Sequence, residues 1–370
     1  MDDRADAEAL RSGRAWEAFC DSLKAAGALV LAPDAPAADV DRAEGFRCLT
    51  RLVRLALKTG LEYGDPAAPQ LIPYMSDSQK FGIDNPDQDY LWARISGRRR
   101  YRLSGSRGSA CYLGIGVYAG SAGRGDGRTV AHVHAEELGP AADGRLELVL
   151  SPEPAPGHWI RLDPDASTLI VRQTYGDRAA EEPARLVLEC LDRGEPPPPL
   201  SPERMARALG RAALQVTGSL AFFKRLSNGW RETPNVLHPT DRELANKSFG
   251  DPDLYYCGGY WRVARDEALV VDFLPPRCRW WGFLVCNYWT ESLEYRYRPV
   301  ATNGHRARRR GDGSVRIAIA HEDPGITDVN WLDTEGHGEG TMCLRWLLAE
   351  QTPVPIPRLV KLEELRSGVR

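Results

Sequence analysis

Asp143-Gly144-Arg145-Leu146-Glu147-Leu148-Val149-Leu150 returns in the second half of the chain as Asp312-Gly313-Ser314-Val315-Arg316-Ile317-Ala318-Ile319. The turn pair is the same. Leu146, Leu148 and Leu150 match Val315, Ile317 and Ile319. A loop with one tryptophan follows each copy, Trp159 in the first and Trp331 in the second. Thr168-Leu169-Ile170-Val171-Arg172 then matches Thr341-Met342-Cys343-Leu344-Arg345. Features kept in this order imply an internal duplication. Alternation of apolar and polar residues puts the three aliphatics of each copy on one strand face. An Asp-Gly pair before such a strand reads as a tight hairpin turn, because it tolerates positive φ angles.

Working outward, short runs broken by Pro73, Gly82, Pro86, Gly97, Gly105 and Gly108 read as antiparallel strands. The expected fold is α+β and mainly β. It consists of two tandem, duplicated antiparallel β-sandwich or jelly-roll-like domains with accessory helices. Residues 1–70 form an N-terminal helical arm, read as helices over 5–26 and 38–61. Residues 71–193 form the first β domain and 251–370 the second. Between them, 194–250 holds Glu195-Pro196-Pro197-Pro198-Pro199 as a stiff spacer, then a helix capped by Ser201-Pro202 and stopped at Asn228-Gly229.

Composition bounds the function. Apolar content of 42% and charged content of 27% are ordinary for a globular protein. A net charge of −3 points to neither nucleic acid nor an anionic membrane, and Arg306, Arg308, Arg309 and Arg310 read as a solvated hairpin loop. No apolar run reaches the roughly 18 residues of a membrane span, and no signal segment opens the chain. A cytoplasmic location is expected. The eight cysteines form no CxxC pair, and Cys111, Cys286 and Cys343 are expected as buried thiols.

The run Asn330-Trp331-Leu332-Asp333-Thr334, Gly336-His337, Gly340-Thr341-Met342 and Arg345-Trp346 resembles the C-terminal signature of the family called domain of unknown function 1214. The first β block, through Asn85-Pro86-Asp87 and Tyr90, is similar to the companion family numbered 1254. The resemblance implies tandem β-sandwich domains and brings no reaction with it.

No Walker loop, HExxH or Gly-x-Ser-x-Gly elbow occurs, and no organic cofactor is implied. The candidate acid–base groups are His337, Asp333 and His321, because a carboxylate can fix the tautomer of a histidine that titrates near neutrality. The same loop also reads as structural, with Trp331 plugging the sandwich end. Candidate ligand-binding aromatics are Trp331, Trp281, Trp289, Tyr288 and Tyr260. In Trp280-Trp281 and Tyr288-Trp289, neighbours on a strand point to opposite faces, so one ring of each pair leaves the sandwich core. His132 and His134 alternate on one strand face with Glu136 beyond, but no metal site is assigned to them. Arg172 and Arg345 stand at matching places in apolar strands and are expected to meet a carboxylate or several backbone carbonyls.

Two functions follow from these residues. One is a protein that binds a small apolar or glycosidic ligand in an aromatic-lined cleft. The other is a cofactor-independent hydrolase or lyase using His337 with Asp333, or His321.

Overall fold

A computed structural model gives the fold and describes residues 3–121, 125–139, 144–192 and 199–368. Asp143 of the first Asp-Gly pair and most of the proline run (194–198) lie outside them. Three helices open the chain: α1 (Asp3–Arg11), α2 (Arg14–Val30) and α3 (Asp39–Leu57). The stretch read as one helix over 5–26 is divided at Ser12-Gly13, where Gly13 adopts a positive φ of 82°. A π-helical turn, Lys58–Glu62, extends α3.

Among the described residues, nine strands follow: β1 (Ile72–Met75), β2 (Gln88–Arg94), β3 (Tyr101–Ser106), β4 (Tyr112–Ala119), β5 (Arg128–His134), β6 (Arg145–Ser151), β7 (Trp159–Arg161), β8 (Ala166–Thr174) and β9 (Arg185–Cys190). The long helix α4 (Pro202–Arg231) comes next, capped by Ser201 Oγ accepting from the Arg204 amide at 3.3 Å. It continues through Asn228-Gly229, because Asn228 donates to Asp34 Oδ2 (2.7 Å) and accepts from the Tyr288 hydroxyl (2.5 Å), tying the last turn to α2's far end and the second sheet.

The second half holds β10 (Val236–Pro239), α5 (Arg242–Lys247), β11 (Leu254–Arg262), β12 (Glu267–Phe273), β13 (Trp280–Cys286), β14 (Ala301–Asn303), β15 (Val315–Ala320), β16 (Val329–Asp333), β17 (Glu339–Leu347), β18 (Arg358–Lys361) and α6 (Leu362–Ser367).

The first half stacks a five-stranded sheet, β1-β2-β8-β4-β5, on a four-stranded one, β7-β6-β3-β9. The second stacks β10-β11-β17-β13-β14 on β16-β15-β12-β18. Adding nine to each strand number of the first half gives the second, so the two sandwiches share one topology. Leu146, Leu148 and Leu150 are buried in the first core, as are Val315, Ile317 and Ile319 in the second. Two details differ from the expectation. The pairs β6–β7 and β15–β16 are parallel. Asp312-Gly313 does not close a hairpin: β14 and β15 belong to different sheets, as do β5 and β6, so the turn lies where the chain crosses the sandwich. Gly313 supplies the positive φ it needs (83°), and Gly144 has a matching φ of 71°.

The outer faces of the two five-stranded sheets look toward each other, and α4 lies along one side of the space between them. Tyr260, Tyr288 and Trp289 of the second sandwich pack with α2, α3 and α4 in one apolar cluster. The halves touch directly where the Trp280 indole donates to the Tyr175 carbonyl (3.1 Å) and Asn303 Nδ2 donates to Asp87 Oδ2 (3.0 Å). Among the described residues, no helix is long and apolar enough to cross a membrane.

Candidate functional site

Between the two outer sheet faces and α4 lies a cavity of about 860 Å³. Strand parity places its walls. Along β8, Leu169 and Val171 face the sandwich core, so Ile170 and Arg172 face outward; along β17, Met342 and Leu344 face the core, so Cys343 and Arg345 face outward. Tyr90 and Trp92 of β2 and Tyr256 of β11 line the same space. Helix α4 adds Phe222, Phe223 and Trp230. Tyr74 packs edge-on to Phe81 with ring centroids 5.2 Å apart, and Phe81 meets Phe223 at 6.4 Å. Trp230 comes close because Gly258 lies beneath it, where a β-carbon would sit 2.2 Å from the indole. The wall is thus largely aromatic, which suits an apolar guest.

The charged lining is one-sided. Arg94, Arg172, Arg211 and Arg345 line the cavity, against Asp165 alone among the acids. Asp165 is already held by Arg128 at 2.6 Å. Arg172 donates to the Tyr118 hydroxyl (2.7 Å) and the Phe249 carbonyl; Arg345 donates to the Ile83 carbonyl. The expectation of a carboxylate or several carbonyls is thus corrected to one carbonyl each. The reason is that Asp251 and its neighbours are engaged elsewhere, and ring faces take the carboxylate's place: Arg172 lies over Tyr118 and Arg345 over Tyr256, each 5.6 Å from the centroid. Burial works against both charges; Tyr118 and then Asp251 outweigh it at Arg172, and Cys343 and then Tyr90 outweigh it at Arg345, so both pKa values lie above the ordinary arginine value. Burial, and then the like charge of Arg211, lower that of Arg94.

The residues singled out in the sequence lie elsewhere. His337 is 2% exposed, and its Nε2 meets Glu44 Oε2 at 2.9 Å, while Nδ1 meets the Thr334 carbonyl at 2.9 Å. The pairing of His337 with Asp333 is not formed: Asp333 Oδ2 accepts from Arg298 (2.7 Å) and Oδ1 from the Glu335 amide (2.8 Å). His321 Nδ1 lies 2.9 Å from the Thr334 hydroxyl. The Trp331 indole donates to the Ala320 carbonyl (2.9 Å), and the matching Trp159 donates to the Ser151 carbonyl (3.2 Å), so both copies use the tryptophan to tie parallel strands. Trp281 sits inside the second core against Phe273 (5.1 Å). Trp289 donates to the Asp41 carbonyl (2.7 Å). Tyr288 and Tyr260 meet edge to face at 6.5 Å under the helices. None of these side chains lines the cavity. Arg306 is not merely solvated, since it holds Asp87 at 2.6 Å, and Arg310 holds Asp272 at 2.7 Å.

Among the described residues, His132, Asp251 and Asp253 form the group with metal-ligand spacing, their ligand atoms lying within 4.8 Å of one another. The Tyr112 hydroxyl is at their centre, 2.9 Å from Asp253 Oδ2, 3.1 Å from Asp251 Oδ1 and 3.2 Å from His132 Nε2. These hydrogen bonds account for the cluster as a pin between the halves. His134 is not part of it and contacts Glu136 at 3.2 Å.

What the sequence reading missed as site residues are Arg172 and Arg345 and the aromatics of α4. The signal for the arginines was present, as matching charges in matching apolar strands. That for Phe223 and Trp230 was not, because a helical aromatic does not reveal which sheet it covers.

Residues 268–351 match the model of the family described as protein of unknown function (DUF1214). None of the curated proteins matches the chain. The crystal structure of a putative uncharacterized protein from Burkholderia cenocepacia is similar, with 42% identity and a TM-score of 0.94, over 96% of this chain and 99% of that one. The crystal structure of the VPA0106 protein from Vibrio parahaemolyticus shares 12% identity, with a TM-score of 0.47, over 85% of this chain and 97% of that one. At that identity and coverage, the chain belongs to one family with the Burkholderia cenocepacia protein, and its C-terminal part is a DUF1214 domain.

Proposed function

We propose that the protein binds a small, mainly apolar molecule in the cavity between its two sandwiches. The observation that carries this reading is a space of about 860 Å³ walled by aromatic side chains from both halves and from α4. Cavities of this size and lining suit compact organic ligands. A duplicated fold supports it too, because two like sheets turned toward each other leave a space that neither sandwich fills alone. The cytoplasm is the inferred compartment, in keeping with eight cysteines that form no disulfide. We further infer that the first sandwich is the counterpart of the companion family numbered 1254.

The alternative, a hydrolase or lyase using His337, Asp333 or His321, has less support, because none of these residues borders the cavity. Calorimetric titration with 2-naphthamide, a neutral aromatic probe, tests the binding reading. Phe223→Ala and Trp230→Ala are expected to weaken binding by about tenfold each, as loss of a buried aromatic contact does. Trp331→Ala is expected to leave it unchanged. If the probe fails to bind, or binds equally well to both cavity variants, the reading is wrong.

A further inference from the structure

We propose that the ligand is an organic acid, its carboxylate held by Arg345 and Arg172 while its apolar body lies against Trp230 and Phe223. This rests on the cavity reading above and adds a charge to it.

Arg345 is 4% exposed, and its Nη1 is buried with no hydrogen-bond partner. Its one hydrogen bond runs from Nη2 to the Ile83 carbonyl. A guanidinium carries five N–H donors in a planar fork, so most of this one is unmatched. Arg172 is 6% exposed, and its two acceptors, the Tyr118 hydroxyl and the Phe249 carbonyl, are neutral. Carboxyl groups partner other part-buried arginines of this chain: Arg51 lies 2.8 Å from Glu291, and Arg316 lies 2.7 Å from Asp272. Neither cavity arginine forms such an ion pair, and Asp251 acts on Arg172 only through space, although desolvating a charge is costly unless an opposite charge meets it.

The ring contacts with Tyr118 and Tyr256 bring no negative charge, and the Nη1 donors of Arg345 stay open. Water can hydrate those edges but brings no charge. Arg94 and Arg211 add to the positive potential in the same space, while the chain as a whole carries −3. A planar fork matches a carboxylate through two parallel hydrogen bonds. The duplication explains why there are two such groups: each occupies the same place in its own sheet.

The test is calorimetry on the full chain with 2-naphthoate and its neutral isostere 2-naphthamide. The acid is expected to bind about tenfold or more tightly, the usual worth of a hydrogen bond to a charged group. Arg345→Met should bring the two affinities together while the amide still binds, and Arg345→Lys should restore part of the preference. If acid and amide bind the wild-type chain equally, and Trp230→Ala weakens both, the anion claim falls and the cavity reading stands. If neither binds, both fall. Should Arg345→Met fail to fold, wild-type melting temperatures decide: naphthoate must raise the midpoint more than naphthamide at equal concentration, and the reverse order overturns the proposal.

Discussion

Glu44 Oε2 lies 2.9 Å from His337 Nε2, so the loop between β16 and β17 is tied to α3 by a buried ion pair. Asn287 donates to the same carboxylate oxygen at 2.8 Å, and Arg47 holds the other at 2.7 Å. Burial opposes the histidine's charge, but the hydrogen bond and charge of Glu44 outweigh it and raise the His337 pKa. Burial likewise pushes Glu44 up, and His337 outweighs it, so the carboxyl lies below its ordinary value. His337 therefore stabilises the fold most below its unfolded pKa and less as pH climbs through the raised one; Glu44 loses its contribution as pH falls through the lowered one. Removing His337 leaves Glu44 with Arg47 and Asn287 but without its most buried partner. We expect His337→Ala to cost about 1.5–3 kcal/mol in urea denaturation. An unchanged midpoint would remove the structural role and favour the acid–base reading of this loop.

Glu291 makes a further pH dependence, of the same sign as that of His337 and opposite to that of Glu44. It is fully buried, and burial pushes its pKa up to about 7 even though Arg51 lies 2.8 Å away. The folded value is above the ordinary 4.5 of an exposed glutamate, so the folded state holds the proton more tightly. Its contribution is full below about pH 4.5 and is lost as pH rises through about 7, a difference of about 3 kcal/mol. Glu291→Gln should flatten the fall in stability between those pH values. Denaturation midpoints measured across the window for both chains check this; equal slopes would show that Glu291 titrates normally.

How much of this was legible in the sequence depends on distance along the chain. Strand period and turn chemistry are local, so the alternation around Leu148 and Ile317 gave the sandwiches and their duplication. Trp331 was visible as a match to Trp159, but a shared backbone bond looks the same in sequence as a shared site. The partner of His337 was out of reach, because Glu44 stands on a helix in the other part of the chain and nothing local couples them. Arg172 and Arg345 are expected to meet a carboxylate or several backbone carbonyls. That a buried charge needs partners holds, but the pattern of a strand does not show that tyrosine side chains and single carbonyls supply them here.

The duplication makes a quantitative prediction. Leu148 and Ile317 are both fully buried, face equivalent cores and pair with equivalent strands, β3 and β12. Leu148→Ala and Ile317→Ala should each cost about 2–5 kcal/mol through lost burial and a residual cavity. Chemical denaturation of the two variants measures this. A cost near zero for either would mean that its core repacks freely, and the two sandwiches would then not be energetic equivalents.

Two glycines should respond to the same substitution with opposite signs. Gly258, on β11, lies under the Trp230 indole, where an added β-carbon would sit 2.2 Å from Cζ2 and 2.5 Å from Cη2. The ring cannot stay in place over that carbon, and its displacement disturbs both α4 packing and the cavity wall. Gly258→Ala is expected to cost about 1–3 kcal/mol, as overpacking does. It should also weaken 2-naphthamide binding. Gly210 sits on the exposed side of α4 with nothing within 4 Å of its would-be β-carbon. There an alanine lowers the entropy of the unfolded chain and favours the helix, so Gly210→Ala should stabilise by about 0.5–1 kcal/mol. Probe affinity should be unchanged, because Gly210 does not line the cavity. Melting curves with and without the probe separate the two cases. If Gly258→Ala binds the probe as tightly as the wild type, Trp230 is not part of the binding wall.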